Sequence, residues 1–151
     1  MTLSLKPLFT LKAQVDPPQS APNGPFGDRR FMPVSGGEFA GDRICGKILP
    51  GGADCQLIRP DGVAELDVRV MFETDDGVQI LMKGLGMRHG PPEVVARLLA
   101  GETVPGSEYY FRETFFFEAP AGKYDWLNKL IGIGEGSRSA EGVELDVYEV
   151  L

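Results

Sequence analysis

A single histidine, two cysteines and one tryptophan in 151 residues remove much of the side-chain chemistry on which enzymes are commonly built. With His89 alone, no arrangement needing two imidazoles is open, and multi-histidine zinc centres are excluded. Cys45 and Cys55 fit no CxxC spacing, so neither a zinc ribbon nor a dithiol redox motif is present. No metal and no cofactor is expected. The two cysteines flank the turn string Pro50-Gly51-Gly52, which would set them on neighbouring strands. A disulfide is geometrically open there, whereas two thiols suit a reducing compartment.

Long apolar runs are missing too. The longest, Val94–Val95 with Leu98–Leu99 and Phe115–Phe117, fall far short of the roughly 20 residues a spanning helix needs. Lys6, Pro7 and Lys12 break the N-terminal segment where a secretory signal would carry its apolar core, so a cytoplasmic protein is expected. Basic charge is scarce as well. Fifteen Lys and Arg against 22 Asp and Glu leave a net charge of -7, which repels phosphate backbones and anionic lipid heads. Neither nucleic acid nor membrane is an expected partner. No lysine of the Walker type follows a glycine loop and no Gly-x-Ser-x-Gly elbow exists. Gly132-Ile133-Gly134-Glu135-Gly136 runs into Ser137-Arg138-Ser139-Ala140 and not into an apolar helix, so it fails as a dinucleotide fingerprint.

What remains is an ordinary soluble composition, 42% hydrophobic and 25% charged, of a size that forms one domain over residues 1–151. Its 20 glycines and 12 prolines fall between short alternating segments, the pattern of a meandering all-β chain. Phe9, Leu11, Ala13 and Val15 share one parity, predicting a strand over 8–15. The proline-rich stretch 16–25 reads as a long loop. Ala64, Leu66, Val68, Val70 and Phe72 alternate with Glu65, Asp67, Arg69, Met71 and Glu73 between two Asp-Gly turns, so 53–59, 63–73 and 78–87 predict three antiparallel strands. Pro92 to Gly101 has the proline and acid start, helical apolar spacing and glycine stop of one short helix. Residues 108–118, 127–134 and 142–150 again read as strands. About nine strands and one short helix predict a single antiparallel β-barrel, closed or nearly so, able to enclose a small ligand.

Within such a barrel, Asp54 beside Gly51-Gly52-Ala53 is a candidate acid or base if desolvated, or a carboxylate bonding its own turn amides. Arg30 could present its guanidinium fork to a ligand oxyanion, or pair with a surface acid. Asp67 and Arg69 point into the lumen if the apolar face of their strand turns outward, and are a solvated pair if it turns inward. Tyr110, Arg112, Trp126 and Asn128 belong to an aromatic-rich region that either lines a pocket or builds core and rim. His89, in a loop-like Gly-Pro-Pro context, reads as solvent-exposed.

Taken in order, Arg30 ahead of Pro33-Val34-Ser35-Gly36-Gly37-Glu38-Phe39-Ala40-Gly41, then Gly46-Lys47-Ile48-Leu49-Pro50-Gly51-Gly52-Ala53-Asp54, Thr74-Asp75-Asp76-Gly77, Tyr109-Tyr110-Phe111-Arg112 and Tyr124-Asp125-Trp126-Leu127-Asn128 resemble the domain of unknown function 3237, also called uncharacterised protein family 0311. The resemblance implies a calycin-like antiparallel barrel, a homodimer as a frequent assembly, and no established activity. Relatives usually carry an aromatic residue after Gly-Gly-Ala-Asp, where this chain has Cys55. Three functions follow as expectations: a pocket for a modest aromatic or carbonyl-bearing metabolite; a cofactor-independent isomerase, cyclase or hydratase using Asp54 and Arg30; or a structural interaction domain.

Overall fold

The computed structural model describes residues 1–151. Ten strands are present: β1 (Leu5–Val15), β2 (Gln19–Ala21), β3 (Asp28–Ala40), β4 (Cys45–Ile48), β5 (Gly52–Ile58), β6 (Ala64–Thr74), β7 (Gln79–His89), β8 (Tyr110–Glu118), β9 (Gly132–Arg138) and β10 (Gly142–Val150). One helix, α1 (Pro92–Leu99), joins β7 to β8. Every pairing is antiparallel, and β1 pairs with β10 along one edge and with β3 along the other. Those two ladders close the sheet. β4 and β5 follow one another between β3 and β6, and β2 lies outside the ring, so eight staves form the barrel. No helix is long and apolar enough to cross a membrane.

Sequence chemistry explains the joints. Gly62 and Gly77 adopt φ of +86° and +85° in the turns before and after β6, where only a residue without Cβ sits easily. Thr74 tightens the second turn, donating to Asp76 and accepting from the Val78 N–H. Along β6 the apolar parity turns inward, with Ala64, Leu66, Val70 and Phe72 buried. β10 does the same through Leu145 and Val147. α1 buries Val94 and Leu98 against the core.

Three expectations need correction. The stretch 127–134 is not one strand: Asp125–Lys129 is a short 3-10 turn and β9 starts only at Gly132. Inside the proline-rich loop, Gln19–Ala21 adds an exposed edge strand to β3, a place where the flanking prolines need donate nothing. The cysteines are free and far apart: Cys45 pairs with Ala40 and Cys55 with Phe31, nine residues along the same strand, roughly 30 Å of extended chain. Pro50-Gly51-Gly52 steps the chain along β3 instead of folding it back.

The interior has two unlike ends. Toward the β6–β7 turn it is filled by rings: Phe39 stacks on Phe72 at 4.3 Å, and Phe9 meets Phe39, Phe72 and Phe117 edge-on at 5.6 to 6.0 Å. Toward α1, large inward side chains on β8 interlock with glycines on both neighbours. Glu113 pairs with Gly86 on β7 and Gly134 on β9, and Phe115 with Gly84 and Gly132. A Cβ on Gly134 would lie 2.5 Å from the Phe115 ring, and one on Gly86 2.4 Å from Glu113 Cγ. Gly134→Ala should therefore destabilise the fold by about 1–3 kcal/mol through overpacking, read as a lower urea midpoint at unchanged m. An unmoved midpoint would show that β8 and β9 shift apart freely.

Candidate functional site

At the α1 end the core is not closed by hydrocarbon. A cavity of about 50 Å³ lies there, and 12 of its 17 lining residues are hydrophobic. The other five are Asp54, Gln56, Arg88, Glu113 and Arg138. Each occupies an inward position on its strand: Asp54 and Gln56 on β5, Arg88 on β7, Glu113 on β8 and Arg138 at the end of β9. Register in the closed barrel turns all five toward the lumen, with Asp54 and Arg138 half-buried. Gln56, Arg88 and Glu113 are only 3 to 5% exposed.

Partners inside the cavity are unevenly shared. Asp54 is well supplied, taking a 2.8 Å hydrogen bond from Gln56 Nε2 and a 3.0 Å bond from the Asp67 backbone N–H. Gln56 Oε1, Glu113 Oε2 and Arg138 Nε are buried without any hydrogen-bond partner. No carboxylate comes within 4.0 Å of the guanidinium of Arg30, Arg88 or Arg138. Arg30 instead donates to the Leu99 carbonyl at the end of α1, at 3.3 Å, where the helix dipole favours a cation. The Tyr109 hydroxyl accepts from the Arg138 backbone N–H at 2.6 Å.

This environment moves the ionisation of both acids and all three arginines. Burial raises Glu113 to about 8, with the Asp54 charge adding and Arg88 opposing, so it carries its proton at neutral pH. Asp54 is also raised by burial, against the pull of its two hydrogen bonds. Arg88 is lowered by burial and by Arg138 to about 10, and stays cationic. Arg138 is lowered mainly by burial, and Arg30 by burial and then by Arg138.

Residues 3–150 match the family described as "Protein of unknown function (DUF3237)". The chain belongs to this family. A UPF0311 protein of Rhodopseudomonas palustris is 41% identical over 150 residues, 99% of this chain and 98% of that one. The crystal structure of a conserved protein of unknown function from Rhodopseudomonas palustris, 40% identical, superposes with a TM-score of 0.94 over 100% of this chain and 99% of its own. An enzyme from Penicillium herquei shares the fold at 19% identity, with a TM-score of 0.76 and coverage of 100% and 96%.

For this DUF3237 protein, the structure brings only Asp54 of the residues expected from sequence into the cavity lining, with Arg30 nearby on β3. Asp67 and Arg69 lie on the outer face of β6 as an exposed ion pair at 3.2 Å, the solvated alternative. Tyr110 is outside as well, stacked on His89 at 4.8 Å. Arg112 spans the outer face between the Tyr110 ring and Glu135. Trp126 and Asn128 sit at the opposite, aromatic end: Arg43 covers the indole, and the Asn128 amide bonds both backbone groups of Ala119. Arg88, Glu113, Gln56 and Arg138 escaped sequence reasoning. A signal existed, since Glu113 interrupts the parity Phe111, Phe115, Phe117, and Arg88 ends the parity Ile80, Met82, Gly84, Gly86.

Glu113 keeps its proton to about pH 8 when folded and sheds it near 4.5 when unfolded. Below about pH 4.5 its ionisation costs the fold nothing, and stability falls as pH rises from there toward 8, because unfolding then releases the proton. Glu113→Gln, which imitates the neutral form, should gain stability over the parent by on the order of 1 kcal/mol per pH unit across that window. Urea unfolding at pH 5, 6, 7 and 8 checks this, and parallel curves would show that Glu113 is ionised in the native chain.

Proposed function

We propose that the barrel binds a small carbonyl-bearing metabolite in the cavity at its α1 end. One observation carries this reading: three buried polar atoms from β5, β8 and β9 lack protein partners and line one largely apolar space. Leaving such atoms unpaired costs about 1–3 kcal/mol each, a burden seldom met in a core whose only task is packing. A ligand carbonyl would accept from Arg138 Nε and from the neutral Glu113 carboxyl, and a ligand hydroxyl or amide N–H would donate to Gln56 Oε1. The cavity volume admits a compound of only a few heavy atoms as it stands. Met32 and Met82, flexible thioethers in its walls or flank, give a ring room to enter.

A thermal-shift panel of neutral carbonyl compounds tests the reading. A true occupant at about 100 times its Kd adds about 2.7 kcal/mol of stability. Gln56→Leu, which removes the orphan acceptor, should weaken a hydroxyl-bearing occupant by about tenfold. Absence of stabilisation by every compound in the panel would overturn it.

A second reading is favoured by the unequal treatment of the two carboxyls. Asp54 receives two hydrogen bonds on its oxygens and Glu113 receives none on Oε2. A carboxyl that keeps its proton beside one whose oxygens are hydrogen-bonded is a layout suited to an acid and a base sharing one site. On this reading Asp54 takes a proton next to a ligand carbonyl while Glu113 and Arg138 hold the developing oxyanion, without a cofactor. Here Glu113 and Arg138 take the oxyanion role expected of Arg30. Exchange of the ligand's α-protons in D2O, followed by NMR, should occur with the parent protein and be lost in Asp54→Asn. Exchange that persists in the variant would remove Asp54 from the chemistry.

A further inference from the structure

The cavity holds more positive than negative charge, and that imbalance says what kind of ligand would settle it. Arg88 on β7 and Arg138 on β9 line the space, and Arg30 on β3 is close enough to feel the charge of Arg138. Facing them are Asp54 on β5 and Glu113 on β8, with the buried Tyr109 hydroxyl beside Arg138. β1, β6 and β10 contribute only apolar side chains to the lining. Of the two acids, Glu113 is the neutral one and Asp54 already has its oxygens engaged. Neither lies within ion-pair distance of a guanidinium.

A buried guanidinium without a carboxylate is an expensive arrangement, because its charge is desolvated with nothing to compensate it. Gln56 does not relieve it: its amide nitrogen donates to Asp54, and its Oε1 accepts from no guanidinium. Arg138 Nε is a buried donor with nothing to donate to. The remaining walls are hydrocarbon, which favours an apolar body behind whatever meets the arginines.

We propose that the natural ligand is an organic monoanion with a short apolar body, its carboxylate meeting Arg88 and Arg138 and accepting a hydrogen bond from the Glu113 carboxyl. This rests on the reading of the cavity as a metabolite pocket and narrows its occupant to a carboxylic acid. Neutral Glu113 is what makes the anion acceptable, since an ionised carboxylate there would repel it. The glycines of β7 and β9 keep that carboxyl in place: a Cβ on Gly84 would sit 2.7 Å from Glu113 Oε2.

The test uses two acids and their uncharged isosteres, benzoate with benzamide and isobutyrate with isobutyramide, titrated into the full chain and followed by NMR. At pH 7 each acid should bind at least about tenfold more tightly than its amide, the worth of one charge-assisted hydrogen bond. Arg88→Met should erase that preference. Between pH 7 and 9 benzoate affinity should fall in the parent as Glu113 ionises, and stay level in Glu113→Gln. An amide that binds as well as its acid, with shifts in cavity resonances, would refute the monoanion while leaving the pocket standing. No cavity shift with any of the four compounds would also refute it, and the neutral carbonyl panel would then decide whether the pocket reading falls with it.

Discussion

Ring closure is the constraint on which everything else in this molecule depends. β1 is hydrogen-bonded on both edges, to β10 through Leu5–Gln14 and to β3 through Thr10–Val15. In an open sheet a charged residue on the wrong parity can be relieved by a twist of the edge or by a shift in register. Here either change would unpair a stave on both sides, so inward residues stay inward whatever their chemistry. Arg88 and Glu113 are the consequence. Both lie in runs of alternating apolar residues, and both are desolvated because the ladder around them leaves no alternative.

Closure would still fail if every inward position were large. β9 offers glycine where β8 offers Phe111, Glu113 and Phe115, and β7 does so opposite Glu113 and Phe115, so three adjacent strands share one layer of side-chain volume. That arrangement gives the string Gly132-Ile133-Gly134-Glu135-Gly136 a purely steric meaning. Its glycines are the missing side chains into which β8 packs, and its isoleucine and glutamate face away. Glycine in a strand normally weakens it, and here the loss is offset by the aromatic and carboxyl bodies that fill the space.

Much of the barrel was legible because alternation is a direct image of a closed sheet. The apolar parities of β1, β6 and β10 were readable from residues such as Leu11, Val70 and Val147, and both Asp-Gly turns fell where expected. β3 was harder, since Pro33 and Gly36-Gly37 interrupt its pattern where the strand bends to serve β5, β4 and β1 in turn. The site was legible only in part. Asp54 could be suspected from its glycine-rich surroundings, but the doublet Tyr109-Tyr110 conceals which parity of β8 turns inward, and choosing Tyr110 and Arg112 selected the outer face. Trp126 and Asn128 misled for another reason. Aromatic density marks buried volume without saying at which end of a barrel it lies, and Tyr124 is tied by its hydroxyl to Asp76 at the far turn.

The two ends of the interior divide opposing demands on the same core. Edge-on and stacked phenylalanines at one end provide dense packing with no polar liability. Unpaired guanidinium and carboxyl groups at the other end reduce stability, and replacing such groups by hydrocarbon of similar size is often neutral or stabilising. A chain tuned for stability alone would have leucine or methionine at Arg88 and Glu113, since β7 and β8 already bury Met82 and Phe115 on the same parity. Local rules of packing are broken at this one end, within a single cavity, and kept at the other. Such confinement is what the proposed pocket accounts for, because a cost borne for folding has no reason to converge on one small volume.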